Sequence, residues 1–331
     1  MFRLFLSLLV LLLLAACQTA EPAPTEAPES AGATAEPAAP ADDPTITPVP
    51  TATPEPTPTS IPESANEFSG EQAMVYLADQ MDLGPRYPGS EGHVQLREYL
   101  VTQLTDLGWE VEEQKFEVYG FEAVNIIARA NHNEDGDLFL LGAHYDTRAR
   151  ADQTVGQEST PVPGAIDGGS GVAVLLELAR TLDLENMESE IWLAFFDVED
   201  NGSGGIEGWN WILGSTYMAN NLERFPTAMI LVDMVGQQQQ ELFYEGNSHP
   251  ELRADLWRVA GELGFGDSFI PQVRYTMIDD HVPFIQRGIP AVDIIDFDYD
   301  YWHTVEDTLD KASAEKLYEV GRLLQVWLEA R

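Results

Sequence analysis

Three acids follow directly on an apolar run in the stretch "IWLAFFDVEDNGSGG", residues 191–205. They are Asp197, Glu199 and Asp200. A carboxylate that is buried loses its hydration, and it needs a cation or hydrogen bonds in return. The end of this predicted strand therefore indicates a site that holds a cation or a dense set of hydrogen-bond donors.

Four other segments carry a histidine or a carboxylate just beyond an apolar run or in a glycine-rich turn. These residues are His144 and Asp146, Asp167, Asp233, and His303. Singly, each has an ordinary structural explanation, such as a helix cap or a turn. Together they supply imidazole and carboxylate ligands without any thiolate, which is typical of Zn²⁺ or a related divalent ion in a catalytic site.

The segments that must position these residues alternate between strand-like and helix-like patterns. Residues 137–147, 190–200 and 227–236 are short, mostly apolar runs, which favour central strands covered on both faces. Apolar residues recur with helical spacing in residues 71–84 and 313–330. The alternation predicts one α/β domain with a largely parallel central sheet and with its function at the loops beyond the carboxyl ends of the strands.

The amino-terminal segment is predicted to be a lipoprotein signal peptide, residues 1–16. Arg3 precedes an apolar run too short for a stable transmembrane span, and "LAAC", residues 14–17, resembles a bacterial lipobox. In signals of that type the cysteine is lipidated, and Cys17 is the only cysteine of the chain. An internal disulfide and a cysteine-ligated metal site are thereby excluded.

Residues 17–65 are rich in Pro, Thr, Ala and Glu and contain few large apolar residues. Such a segment cannot bury enough surface to fold, so we predict a disordered tether. It would hold a folded catalytic domain, predicted to span residues 66–331, on the order of 100 Å from an anchored lipid. We therefore expect an extracytoplasmic protein that is attached to the bacterial cell membrane only through its lipid.

The formal net charge of −39 is extreme for a chain of 331 residues. Nucleic acid is excluded as a partner, because contacts to phosphates need basic groups. Cationic partners such as peptide amines and metal ions would be attracted. Solubility or a salty habitat is an alternative explanation of the acidity.

The motif series resembles one group of enzymes. The order "AHYD", "GAIDGGSG", "FFDVED", "LVDMVG", "DDHVPF" and "WHT" is similar to that of the clan of zinc aminopeptidases and glutaminyl cyclases, and the match covers nearly all of residues 70–331. The resemblance implies a three-layer α/β sandwich of the phosphorylase/hydrolase type with a mixed, mainly parallel central sheet. It also implies a zinc enzyme that acts on the N-termini of peptides or proteins, and we expect a monomer.

The resemblance also assigns roles to individual residues. The implied metal ligands are Asp167, Asp200 and His303 for one zinc ion, with His144 and Asp233 completing a second site, bridged by Asp167, where a second ion is held. Glu199 would be the acid that shuttles a proton, and Asp146 would orient His144 through its ring N–H. Most members have Glu where this chain has Asp200, and in several relatives the peptide bond after the position of Asp167 is cis.

Two activities occur within the clan. In an aminopeptidase, Glu199 would activate a water that attacks the first peptide carbonyl. In a glutaminyl cyclase, the α-amine of an N-terminal Gln attacks its own γ-amide, and Glu199 would carry the proton from the amine to the leaving ammonia. The product of the cyclase is pyroglutamate.

Three features favour the cyclase. Trp302 directly precedes His303, as in animal-type glutaminyl cyclases. Trp209 lies in a segment that resembles the cyclase segment whose tryptophan lines the substrate pocket. Asp280 lies in a segment that resembles the one in which a cyclase aspartate hydrogen-bonds the position of Asp233 and shares a proton with it. Against these features, "GAIDGGSGVA" resembles the aminopeptidases at least as much, and core packing would also explain both tryptophans.

A zinc aminopeptidase is therefore the alternative, and a non-catalytic surface binding domain is a more distant one. The binding domain is disfavoured because Glu199 and all the candidate ligands are present. A serine hydrolase is excluded, since its nucleophile elbow needs a glycine two positions after the serine and Val172 stands there after Ser170.

Some segments outside the motif series receive no catalytic role. Residues 84–93 are predicted to shape the rim of the site, and the long loop before Asp167 is predicted to be a lid or a surface excursion. The histidines His93, His132 and His249 are predicted to lie at the surface.

Overall fold

The computed structural model describes residues 67–331, so the predicted signal peptide 1–16 and tether 17–65, with Cys17, lie outside the described residues. The α-helices of the described part are α1 (Gly70–Asp82), α2 (Glu91–Asp106), α3 (Gly171–Thr181), α4 (Leu213–Asn220), α5 (Pro250–Glu262), α6 (Val282–Gln286) and α7 (Ala314–Glu329). The strands are β1 (Glu110–Val118), β2 (Phe121–Ala130), β3 (Leu138–His144), β4 (Glu190–Phe196), β5 (Ala228–Asp233), β6 (Leu242–Glu245), β7 (Phe269–Tyr275) and β8 (Ala291–Ile295).

Six strands form one sheet in the order β1-β2-β4-β3-β5-β8, and β6 pairs with β7 in a small parallel sheet. The neighbours β4, β3, β5 and β8 are parallel, whereas β2 is antiparallel to β4 and β1 is antiparallel to β2. Because four adjacent strands run in one direction, their carboxyl ends lie along one edge of the sheet. Loops that leave this edge are where open α/β sheets bind ligands.

Successive side chains of the central strands point to opposite faces of the sheet. Leu141 of β3 and Leu193 of β4 belong to the larger apolar core, which also contains residues of α1, α2, α3, α5 and α7. Their neighbours Leu140 and Ala194 belong to a second core with α4 and α6. Both faces of the sheet are thus covered by helices, and the predicted three-layer arrangement with a mixed, mainly parallel sheet is confirmed.

Local sequence explains where several helices begin. Ser69, Ser90 and Ser313 each accept a backbone N–H from the first turn of α1, α2 and α7, which satisfies one of the free donors at each helix start. The strand pair β6 and β7 was not predicted from the sequence. Within residues 67–331, no helix combines the length and the apolar character that crossing a membrane would require.

Candidate active site

The parallel strands deliver two of the predicted ligands directly. His144 is the last residue of β3 and Asp233 is the last residue of β5, and these strands are neighbours in the sheet. The residue after Asp233, Met234, has φ +45°, and His303 itself has φ +56°. Left-handed backbone is uncommon for residues other than glycine, and such conformations cluster at functional sites.

The three acids after β4 have separate tasks, because the chain turns sharply at Val198 (φ +54°). Asp197 is structural: it accepts the backbone N–H of Val124 at 2.7 Å and pairs with His93 Nε2 at 2.7 Å. Glu199 and Asp200 lie beyond the turn and line a cavity. The prediction that His93 is a surface residue is wrong, since its side chain is 1% exposed and is held by this partner from a distant strand end.

Asp146 supports this turn rather than the imidazole ring. Its carboxylate accepts the backbone N–H groups of Glu199 at 2.9 Å and Asp200 at 3.3 Å. His144 Nδ1 instead lies 3.1 Å from the backbone carbonyl of Asp146, while the nearest carboxylate oxygen is 3.8 Å away. The expected contact between Asp146 and His144 therefore exists, but the main chain makes it.

We call Asp167, Asp200 and His303 the first ligand group. His303 Nε2 lies 2.9 Å from Asp200 Oδ1 and 3.6 Å from Asp167 Oδ2. Burial opposes a positive charge on His303, but Asp200, Asp152 and Asp167 outweigh burial and raise the pKa of His303 to about 9. Burial and the charge of Asp167 raise the pKa of Asp200 to about 6.

We call His144, Asp167 and Asp233 the second ligand group. His144 Nε2 lies 3.2 Å from Asp167 Oδ1 and 3.1 Å from Asp233 Oδ1. Burial opposes protonation of His144, yet the nearby carboxylates, Asp233 foremost, raise its pKa well above the usual value. The two groups share Asp167, so its two oxygens face two different histidines.

Asp167 is fixed by its own turn, a short irregular helical segment at residues 165–170. Asp307 accepts the backbone N–H groups of Ile166 at 2.8 Å and Asp167 at 3.2 Å. Gly168 allows the close approach of His144, because a Cβ at residue 168 would lie 2.6 Å from the imidazole Cε1. The peptide bond that relatives led us to expect as cis is trans, since residues 67–331 contain no cis peptide bond.

Both ligand groups fit a divalent metal ion. In each group, one donor atom from each residue lies within 4.8 Å of the others, and all the residues are buried. Asp167 Oδ2 and Asp200 Oδ2 are buried without a hydrogen-bond partner in the described structure. Buried carboxylate oxygens need compensation, and oxygen with imidazole ligands is a set that zinc accepts. The donors thus support a zinc site of at least one ion.

A cavity of about 230 Å³ with aromatic and aliphatic walls is lined by four of the five candidate ligands: Asp167, Asp200, Asp233 and His303. Trp302 and Trp211 line it, and the Trp211 ring stacks against the His303 ring with centroids 6.0 Å apart. The prediction that Trp209 lines the pocket is wrong, because Trp209 packs instead against Phe121 and Tyr119. Trp209 and Trp211 are two positions apart, and the conformation of the chain between them decides which ring reaches the cavity.

Glu199 lines the cavity and belongs to neither ligand group. It lies 3.9 Å from His144 Nδ1 and is almost fully buried. Burial raises the pKa of its carboxyl well above the usual range, although the nearby His144 lowers it. A buried carboxyl with a raised pKa, facing a cavity, is a candidate proton carrier.

The expected pairing of Asp280 with Asp233 is not formed. Asp280 accepts a short hydrogen bond from Ser215 Oγ, and its other oxygen has no hydrogen-bond partner among the described residues. Its neighbour Asp279 lines the cavity together with Asp233. Burial, Asp233 and Asp280 raise the pKa of Asp279 well above its usual value. Of this adjacent pair of acids, Asp279 lines the cavity, whereas the sequence indicated Asp280 as the partner of Asp233.

Other supporting residues were missed because they lie in loops. Arg148 is buried, and it donates to the backbone carbonyl of Asp200 at 2.7 Å. Asp152 lies 3.3 Å from His303 Nδ1. Arg86 is also buried, and it donates to the carbonyl groups of Pro163 and Gly164 ahead of the Asp167 turn. No local pattern marks these residues, since each acts on a segment distant in sequence.

The sequence profile of Peptidase family M28 matches residues 125–328. The chain belongs to peptidase family M28. The matched range contains every residue of both ligand groups and Glu199. This membership confirms the family that the motif series resembles and the prediction of an enzyme of this kind.

The relatives include both activities of the clan. Glutaminyl-peptide cyclotransferase of Drosophila melanogaster is 27% identical over 78% of this chain and 81% of its own length. The crystal structure of Porphyromonas gingivalis glutaminyl cyclase superposes with a TM-score of 0.75, at 35% identity over 80% of this chain and 99% of that one. A leucine aminopeptidase precursor from Bacteroides thetaiotaomicron gives a TM-score of 0.76, at 32% identity over 82% and 99% of the two chains.

Proposed function

We propose that the protein is a zinc-dependent glutaminyl-peptide cyclotransferase, which converts an N-terminal Gln of a peptide or protein into pyroglutamate and releases ammonia. The observation that carries the proposal is the position of Glu199. It lines the cavity beside both ligand groups and belongs to neither. A free carboxyl at this place can move a proton without giving up a metal ligand.

The reaction needs one proton carrier. The α-amine nitrogen of the substrate attacks the γ-amide carbon, a C–N bond forms, and the amine loses a proton. Glu199 accepts that proton and returns it to the nitrogen of the γ-amide. The original C–N bond of the γ-amide then breaks, and ammonia leaves. The raised pKa of Glu199 suits a group that gains and loses a proton within one turnover.

One zinc ion held by Asp167, Asp200 and His303 would supply a Lewis acid for the γ-amide carbonyl. Trp211 and Trp302 form walls of the cavity. Their rings exclude water from the amide and hold the side chain of the substrate in reach of its own amine. Exclusion of water favours cyclisation over hydrolysis, because the competing nucleophile is kept out.

The comparisons support cyclisation as the main activity. Cyclotransferases are found both among the sequence relatives and among the similar crystal structures. Asp279 also supports it, since this buried acid shares the cavity with Asp233 and its raised pKa favours a neutral carboxyl there. A proton between two such acids would compete with a second metal ion at Asp233.

A zinc aminopeptidase is the second candidate, and the second ligand group is the observation that favours it. His144, Asp167 and Asp233 would complete a two-ion site of the kind that hydrolytic enzymes use to hold a substrate and a nucleophile. The similarity to a leucine aminopeptidase precursor supports this candidate as well.

We also propose that the enzyme acts outside the cytoplasm as a monomer, anchored by a lipid on Cys17 and held away from the membrane by residues 17–65. The lipobox-like stretch at residues 14–17 and the composition of the tether support this placement. Labelling with a lipid precursor, with a Cys17→Ser variant as the control, tests it: label in the variant would contradict the anchor.

Two substrates offered in parallel to the zinc-loaded protein separate the activities. With Gln-β-naphthylamide, we expect a product that has lost one ammonia while the naphthylamide bond stays intact, as mass spectrometry would record. With Leu-β-naphthylamide, we expect no free naphthylamine. Release of naphthylamine from the Leu substrate would support the aminopeptidase, and inactivity on both substrates would favour a binding domain.

A further inference from the structure

The loop that follows β3 makes a contact to His303 that neither the sequence nor the proposed reaction assigns. His303 Nδ1 lies 3.3 Å from Asp152 Oδ1, while Nε2 of the same ring faces Asp200 and Asp167. Each ring nitrogen thus has its own carboxylate neighbours. Nε2 faces the other two residues of the first ligand group, so it is the nitrogen that can bind a metal ion there.

We propose that Asp152 is a positioning residue, which accepts the Nδ1–H of His303 and thereby keeps the lone pair of Nε2 available for the metal ion. The partner of the second ring nitrogen generally sets the tautomer and orientation of a metal-binding histidine. A carboxylate partner also makes the imidazole a stronger donor. Asp152 therefore raises the metal affinity of the first ligand group without touching the metal or the substrate.

Asp152 is itself held in place. Arg148 Nη2 lies 2.6 Å from Asp152 Oδ2, and the Arg148 side chain is only 1% exposed. The same guanidinium donates to the backbone carbonyls of Asp200 and Ser203, both at 2.7 Å. Arg148 thus ties Asp152 to the loop that carries another ligand. A buried guanidinium that binds a carboxylate and two backbone carbonyls fixes geometry better than an exposed ion pair does.

The main chain of the same loop supports the backbone around His303. The N–H of Gln153 donates to the His303 carbonyl at 3.3 Å, and Thr154 Oγ1 accepts the N–H of Val305 at 3.2 Å. The left-handed conformation of His303 is unfavourable for a residue with a side chain, so surrounding contacts must maintain it. Residues 148–154 therefore hold the backbone of this ligand and place a carboxylate beside its ring.

The two ligand histidines differ in this respect. His144 Nδ1 faces a neutral backbone carbonyl at 3.1 Å, whereas His303 Nδ1 faces a carboxylate at 3.3 Å. The charged acceptor is the stronger partner for an imidazole N–H. The contact is also open to mutation, because a side chain provides it.

Zinc affinity measured without substrate tests this proposal, which rests on the metal-binding part of the proposed function. The first equivalent of zinc is titrated into metal-free protein against a chromophoric chelator. We expect Asp152→Ala to weaken binding by about 10- to 100-fold, as loss of such a partner commonly does. Asp152→Asn, which keeps the shape but not the charge, should weaken it by a smaller factor.

The matched control is Glu158→Gln, an isosteric change in the same loop at an exposed residue, and it should bind zinc like the wild type. Circular dichroism of the metal-free variants verifies that they are folded. The d–d spectrum of the Co²⁺-loaded protein adds a readout of ligand geometry, and it should change in both Asp152 variants.

Wild-type affinity in folded Asp152→Ala and Asp152→Asn would overturn the positioning role and leave the proposed reaction intact. Absence of zinc binding by the wild type would instead overturn the metal-binding part of the proposed function, and the role of Asp152 with it. If Asp152→Ala does not fold, the zinc affinity of the isosteric variant Asp152→Asn decides the outcome.

Discussion

The two ligand groups share Asp167 and yet have different surroundings. Around the first group, the supporting side chains are ionised: Asp152 beside His303, and Arg148 beside Asp200 with Nη1 at 3.5 Å from Oδ1. Around the second group, the neighbours are acids whose pKa is raised by burial, such as Glu199 and Asp279.

The contrast suggests a division of labour between two halves of one site. Ionised partners beside the ligands help to fix a ligand set and suit a permanent metal ion. Carboxyls whose pKa is raised favour the neutral form, which compensates a metal charge less well, but they can give and take protons. From this comparison we propose that the first group would bind a resident zinc ion, and that the acids beside the second group would serve proton transfer.

Asp167→Ala should break both halves at once, because Asp167 belongs to both groups. We expect loss of stoichiometric zinc and a fall in turnover of about a thousandfold or more, since a catalytic metal supplies several kcal/mol of charge stabilisation. Metal analysis after gel filtration measures the first effect. Asp310→Ala, at an exposed acid, is the control, and full zinc content in Asp167→Ala would undo the ligand assignment.

Glu199→Gln should affect proton transfer but not metal binding, because it removes the proton carrier and leaves the metal ligands in place. We expect normal zinc content and a loss of about 10²- to 10⁴-fold in kcat, the usual contribution of a general acid–base group. Glu207→Gln, at an exposed residue of the same loop, should keep full activity. A metal-free Glu199→Gln protein would mean that Glu199 is a ligand.

The pair Trp211→Ala and Trp209→Ala sharpens the boundary of the cavity. Trp211 lines the cavity and stacks on His303, so its loss should lower kcat/KM about tenfold. Trp209 packs against Phe121 and Tyr119, so its loss should cost about 1–3 kcal/mol of stability and leave kcat/KM nearly unchanged. A large fall in kcat/KM for Trp209→Ala, with little change for Trp211→Ala, would contradict the structure.

The pH dependence of stability probes the acids behind the second group. Burial raises the pKa of Asp280 to about 7, so the folded state binds a proton that the unfolded chain has already released above about pH 4. Stability of the metal-free protein should therefore fall as pH rises from about 4 to 7. Urea unfolding at several pH values measures this slope, and Asp280→Asn should make it smaller. An unchanged slope would show that Asp280 is ionised throughout.

The sequence was informative where function follows directly from a strand end. Each apolar run marks a strand, and a polar residue at its carboxyl end must lie at the site edge, so His144 and Asp233 could be placed in advance. The sequence was uninformative for choices between close neighbours. Which residue of a pair faces the cavity depends on turns whose geometry is set by contacts to other segments, such as the hydrogen bond from Ser215 to Asp280. This holds for the pair Asp279 and Asp280 and for the pair Trp209 and Trp211.

Supporting residues were hidden for a related reason. Arg148, Asp152 and His93 are ordinary polar residues of loops and a helix when viewed alone. Arg148 and His93 are buried where partners from distant segments bind their polar atoms, as Asp197 does for His93 over 104 positions. Such pairings follow from the tertiary fold and leave no local pattern.

Anomalous diffraction at the zinc edge, from crystals of the protein loaded with one equivalent of zinc, tests the central comparison most directly. The account predicts one strong peak at bonding distance, about 2 Å, from Asp167, Asp200 and His303 Nε2. A dominant peak between His144 and Asp233, or two peaks of equal height, would contradict it.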